Sequence, residues 1–71
     1  MRVESLYDAH RTALVRYLAR FSGDSDLAED AAQEAFVRLA ERPPARDENL
    51  RAWLFTVATR IAVDQARTRR R

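Results

Sequence analysis

Residues 22–45 read SGDSDLAEDAAQEAFVRLAERPPA. Within this stretch Leu27, Ala31, Ala32, Ala35, Phe36 and Leu39 recur at spacings of three and four, which places them on one apolar face of a helix. Neither end of the run can extend. Gly23 stands where a left-handed helix stop forms, and a double proline, Pro43-Pro44, removes backbone donors and clashes with the preceding turn. These are the one glycine and the two prolines of the whole chain, so three periodic segments remain and three helices are the simplest reading. Asp26, followed three residues later by Glu29, resembles a capping box and sets the expected second helix at about Leu27 to Glu41.

Upstream, Leu6, His10, Ala13, Leu14, Tyr17, Leu18 and Phe21 form one broad apolar face, with Arg11, Arg16 and Arg20 off its centre. That helix is expected from about Val3 to Phe21. Downstream, Asp47-Glu48-Asn49 supplies acidic and capping residues for a new N-terminus after a loop at about 42–48. Leu50, Trp53, Leu54, Val57, Ile61 and Gln65 then share one side of a third helix, expected from Leu50 to about Arg67. No strand-like alternation and no internal repeat occurs. The expected fold class is all-α, a compact three-helix bundle, or four helices if the loop contributes a turn of its own.

Composition narrows the functions open to such a bundle. The chain has 71 residues, and a domain of this size buries only about 60% of its unfolded surface, which leaves little room for an internal pocket. There is no cysteine and one histidine, His10, so neither a disulfide framework nor an ordinary zinc site can be built. A single glycine excludes phosphate-cradling glycine-rich loops. Carboxylate pairs such as Asp26 and Asp30 lack the histidine that helical di-metal sites use. The expectation is a non-enzymatic protein with no cofactor, no metal and no small-molecule substrate. No apolar run approaches the ~20 residues that span a bilayer, and the N-terminus lacks a signal-peptide build, so the expected location is the cytoplasm, with no membrane partner.

The net charge of +2 hides an asymmetry: residues 1–41 carry five arginines against eight acids, residues 42–71 eight arginines against three. An acidic half suits a basic protein surface and a basic half suits a polyanion. On the second helix Glu29, Asp30, Gln33, Glu34, Val37 and Arg38 are left outside the apolar set. Asp30 and Glu34, four apart, repel by a few tenths of a kcal/mol unless a cation faces them, and Arg38 partly compensates. A solvated face and a docking face for a basic helix both fit. On the third helix Trp53, Thr56, Arg60, Val63, Asp64 and Arg67 form a second stripe beside the core stripe, with Phe55 and Thr59 nearer the opposite edge. Aromatic, hydroxyl and arginine side chains together are what single-stranded nucleic acid recognition uses, although a lone tryptophan in a small helical protein is ordinarily core. The arginines from Arg67 to Arg71 fit a polyanion contact or a frayed, solubilising end. Two classes stay open: a nucleic-acid and protein adaptor, or a helical module that binds a basic partner through its acidic face without recognising DNA.

The string DLAEDAAQEAFVRL at 26–39, followed after a short loop by LRAWLFTVATRIAVD at 50–64, resembles region 2 of the extracytoplasmic-function (ECF) group of bacterial sigma factors. The opening helix, with Leu6-Tyr7, Tyr17 and Phe21, fits the same pattern, so the resemblance covers nearly the whole chain. It implies a transcription-initiation domain that binds the β′ clamp helices of core RNA polymerase through the second helix. The third helix would recognise and help melt the promoter minus-ten element by capturing bases of the non-template strand. Carried over residue by residue, the polymerase-docking residues are Asp30, Gln33, Glu34 and Arg38. The DNA-contacting residues are Pro44, Ala45 and Arg46 in the loop and Thr56, Thr59, Arg60 and Arg67 on the helix, while Trp53 and Phe36 fall on core positions. This chain has Arg60 where many members carry an asparagine, and its loop offers no aromatic, so the family's base preference does not transfer. The resemblance also implies an anti-sigma factor as a partner. Because the chain ends on Arg67-Thr-Arg-Arg-Arg, where the linker of the family begins, residues 1–71 are expected to be a single region 2 domain without the C-terminal region 4 domain.

Overall fold

The computed structural model describes residues 3–44 and 49–69. They form three helices, α1 (Val3–Ser22), α2 (Ser25–Glu41) and α3 (Leu50–Arg69), with no strand among the described residues. The all-α, three-helix reading is therefore the observed architecture.

The α1–α2 corner is built by backbone chemistry. Gly23 adopts φ 73°, and its N–H donates to the Ala19 carbonyl at 2.8 Å, closing α1. The next residue, Asp24, is extended (φ −142°, ψ 109°), and its side chain accepts from the Leu27 N–H at 3.1 Å. Asp24 is thus the N-cap of α2, and not the expected box of Asp26 and Glu29. The correction has a simple cause: a left-handed glycine turns the chain at once, so the first residue after it takes the cap and α2 begins at Ser25, two residues before the expected start. At the other end the Arg42 N–H donates to the Arg38 carbonyl at 2.7 Å, and Pro43 follows. Asn49 caps α3, its Oδ1 accepting from the Ala52 N–H at 3.0 Å. Asp47 and Glu48, expected beside it, lie outside the described residues.

Among the described residues the core consists of thirteen buried apolar side chains, and seven of them, Leu27, Ala28, Ala31, Ala32, Ala35, Phe36 and Leu39, belong to α2. Four of those seven are alanines, so the neighbouring helices can approach α2 closely. Leu14 and Leu18 from α1, and Leu54, Ala58, Ile61 and Ala62 from α3, complete the core. Two expectations change here. On α1 the buried stripe is narrow: Tyr17 is 43% and Phe21 50% exposed, while His10 and Ala13 are half-buried. The side chain of Leu6, expected on the same face, lies outside the described residues. On α3 the stripe centres on Leu54, Ala58 and Ala62, and Trp53, Val57 and Leu50 pack at its margin. Gln65 is half-buried, with its Oε1 buried and without a hydrogen-bond partner among the described residues.

Two stability measurements test this arrangement. Leu54→Ala, at a fully buried position, should lose about 2–5 kcal/mol in denaturant unfolding; a loss below 1 kcal/mol would contradict the placement of Leu54 at the centre of the core. At Gly23 an added Cβ would meet nothing within 4 Å, so Gly23→Ala should cost only the left-handed strain of about 1–2 kcal/mol, seen as a fall in Tm with unchanged helical circular dichroism.

Candidate functional site

Two outward faces, one on α2 and one on α3, carry the candidate residues. On α2, Asp30, Gln33, Val37 and Arg38 are exposed and Glu34 is half-buried. Arg38 Nε donates to Glu34 Oε2 at 3.4 Å, an ion pair one helical turn long and about half solvated on both sides. Such exposed pairs contribute at most about 1 kcal/mol, so it can be rearranged by an incoming partner at low cost. Glu29 is drawn away from this face. Its Oε1 pairs with Arg11 Nη2 of α1 at 2.8 Å, and Arg11 Nε donates to the Tyr7 hydroxyl at 2.8 Å. The Tyr7 ring meets Phe36 edge-on, with centroids 4.9 Å apart. Glu29 therefore ties α1 to α2, and Asp30, Gln33 and Glu34 remain as the outward polar face, with Val37, 40% exposed, as an apolar knob beside them. Sequence reading placed Val37 outside the core without giving it a role.

Towards α3 the same face borders a cleft of about 410 Å³ lined by Glu34, Arg38, Glu41, Arg42, Trp53 and Val57. Trp53 is half-buried against the core at this margin. It thus belongs with the α2 residues, and the expected stripe that joined it to Thr56, Arg60 and Arg67 is divided. Its rotation on the helix, rather than its spacing from Thr56, decides which neighbour it meets. Glu41 and Arg42, which no periodicity argument singled out, take part in this cleft because the end of α2 packs across the start of α3.

On α3, Thr56, Arg60 and Arg67 are all exposed and follow one another at helical spacings on the side turned away from α1 and α2. An arginine presents five donors in a fixed fork, suited to phosphate oxygens and base edges. Thr59 is half-buried, and its hydroxyl donates to the Phe55 carbonyl at 2.6 Å. That proton is committed to the backbone, so Thr59 can offer a ligand only its acceptor lone pairs. Of the loop residues, Pro44 is half-buried, and Ala45 and Arg46 lie outside the described residues. Among the described residues no group of three or more histidine, aspartate or glutamate side chains could hold a metal ion. Among the described residues no helix is long and apolar enough to cross a membrane. The arrangement can form hydrogen bonds and ion pairs on both faces.

Comparison with known proteins gives the same direction. The model of the family described as sigma-70 region 2 matches residues 6–71. Among curated proteins the chain is 39% identical to the ECF RNA polymerase sigma factor SigL of Mycobacterium tuberculosis, over 96% of this chain and 40% of that protein. It is 31% identical to the ECF RNA polymerase sigma factor SigM of Bacillus subtilis, over 94% of this chain and 42% of that protein. The chain thus spans about two fifths of the length of these relatives. No solved structure gives a significant match.

Proposed function

The chain belongs to the sigma-70 region 2 family, as an ECF-type member, and from that membership we propose that it acts in transcription initiation by holding core RNA polymerase and promoter DNA on two different helices. The observation that carries this reading is the difference in chemistry between adjacent faces: acidic and amide groups with one arginine, Arg38, on α2, and hydroxyl and guanidinium groups with one carboxylate, Asp64, on the outward side of α3.

In this reading Asp30, Gln33, Glu34 and Arg38 dock on the β′ clamp helices. Reorganising the weak Glu34–Arg38 pair frees a carboxylate for a basic partner while Arg38 turns to an acidic one. Thr56, Arg60 and Arg67, with Thr59 and the loop residues Pro44, Ala45 and Arg46, hold the non-template strand of the minus-ten element. Bases unstack at a cost of a few kcal/mol each, and capture on the protein offsets that cost, so the chain helps to melt the duplex without performing any bond chemistry. Catalysis stays with the polymerase. An anti-sigma protein would act by covering the same two faces.

Phosphate contacts and base contacts are separable by experiment. Arg67→Ala should weaken binding to matched and scrambled single strands alike and lower the salt slope by about 0.7. Arg60→Ala should weaken the matched strand more than the scrambled one; equal losses would remove its base-reading role. For the polymerase face, Asp30→Arg with Glu34→Arg should reduce binding to a purified β′ clamp-helix fragment at least about tenfold at moderate salt. Undiminished binding by the reversed protein would show that docking uses another surface, and no binding by folded wild type would refute the docking reading itself.

A further inference from the structure

Two ion pairs border the outward strip of α2, one towards each neighbouring helix, and they are built differently. Towards α3, Arg38 and Glu34 belong to the same helix, and one contact of 3.4 Å joins them. Towards α1, the cation comes from another helix and is held at two points. Arg11 Nη2 lies 2.8 Å from Glu29 Oε1, while Arg11 Nε donates to the Tyr7 hydroxyl at 2.8 Å. The forked guanidinium can serve both acceptors at once, and its carbon lies 5.8 Å from the centre of the Tyr7 ring. Tyr7 is itself steadied by the buried ring of Phe36, which meets it edge-on. A chain of contacts, Phe36 to Tyr7 to Arg11 to Glu29, thus runs from core to surface and sets the guanidinium against one particular carboxylate.

Position makes that carboxylate consequential. Glu29, Gln33 and Val37 follow one another at spacings of four, so they form one row along α2, and all three are exposed. Glu29 therefore extends the row that carries Gln33, a residue of the proposed docking face, and is the chain neighbour of Asp30. A carboxylate there adds to the attraction for a basic helix. Arg11 cancels it: the pair presents no net charge, and the guanidinium repels an approaching cation. The two side chains are 40% and 54% exposed, so a partner on α2 meets this pair at the surface. Exposed pairs of this kind add little to folding. Anchorage by Tyr7 has a different effect, since an arginine held at two points resists the exchange that the single long contact of Arg38 permits.

We propose that Arg11 is a specificity-determining residue of the docking face: positioned by Tyr7, it withholds the Glu29 carboxylate and so sets how much negative charge α2 offers to a basic partner. This rests on the reading of α2 as the docking helix and gives a residue of α1 control over it. With Glu29 neutralised, binding depends on the fit of Asp30, Gln33 and Glu34 to the partner, and a merely cationic surface is held less tightly.

The test is binding of the whole chain to the purified β′ clamp-helix fragment at low and moderate salt, with helical circular dichroism recorded for every variant. Arg11→Gln should tighten binding about threefold or more at low salt, a gain that shrinks as added salt screens exposed charges. A purely structural role for the pair predicts the opposite sign, because loosening the contact between α1 and α2 weakens a face that α2 presents. Glu29→Gln, which leaves Arg11 alone before the partner, should weaken binding by a similar factor. Arg11→Gln combined with Glu29→Gln should return to within about twofold of the wild type, a neutral pair having been replaced by neutral side chains. Tyr7→Phe keeps the ring against Phe36 and removes only the hydroxyl, so it should give a smaller gain of the same sign; it keeps the test decisive if Arg11→Gln folds poorly. Unchanged or weaker binding by folded Arg11→Gln, beside a wild type that binds, would overturn the inference and leave docking through α2 standing. An equal gain in Arg11→Gln and in the double variant would show that Arg11 acts by its own charge alone and overturn the withholding of Glu29. No binding by folded wild type would overturn the docking reading, and the inference with it.

Discussion

Burial of the alanine-rich face of α2 is the constraint on which the other features depend. Ala28, Ala31, Ala32 and Ala35 contribute little apolar area each, so their value lies in bringing α1 and α3 close enough for Leu14, Leu18 and Leu54 to reach Leu39 and one another. A helix packed on two sides has only one remaining side for solvent. On α2 that side is the polar strip of Asp30, Gln33 and Glu34, which is why a docking face of this composition can exist on the most buried helix of the chain.

Short connections convert that packing into fixed orientation. Between α1 and α2 there are two residues, Gly23 in the left-handed region and Asp24 as the cap. A corner this tight leaves α1 no freedom to rotate independently, and the Arg11–Glu29 pair and the Tyr7–Phe36 contact lie along the seam it defines. The same seam draws Glu29 out of the acidic strip. Charge on α2 is thereby divided between pairing with α1 and facing outward, a division that a count of acidic residues does not reveal.

α3 serves three neighbours by rotation alone. One flank meets α2 through Trp53 and Val57, another meets α1 through Phe55, and the side between them carries Thr56, Arg60 and Arg67. Adjacent residues in the chain therefore belong to different surfaces. Thr56 and Thr59 illustrate this: both are threonines on one helix, yet the first is exposed and the second is turned towards Phe55, with its hydroxyl proton bonded to the backbone.

Helix number, helix boundaries to within two residues, the apolar face of α2 and the family to which the chain belongs follow from its residues alone, because glycine, proline and apolar spacing act locally and at short range. The choice of cap among Asp24 and Asp26 depends on the turn that Gly23 makes, and only the structure decides it. The same holds for the fates of Tyr17, Phe21 and Trp53. Each is apolar and correctly spaced for a core, but whether it is buried depends on where a second helix lies, and a three-helix chain with α2 at its centre has too little surface to cover all of them. Periodicity determines which residues share a side of a helix; tertiary packing determines which side is covered, since covering requires atoms from elsewhere in the chain.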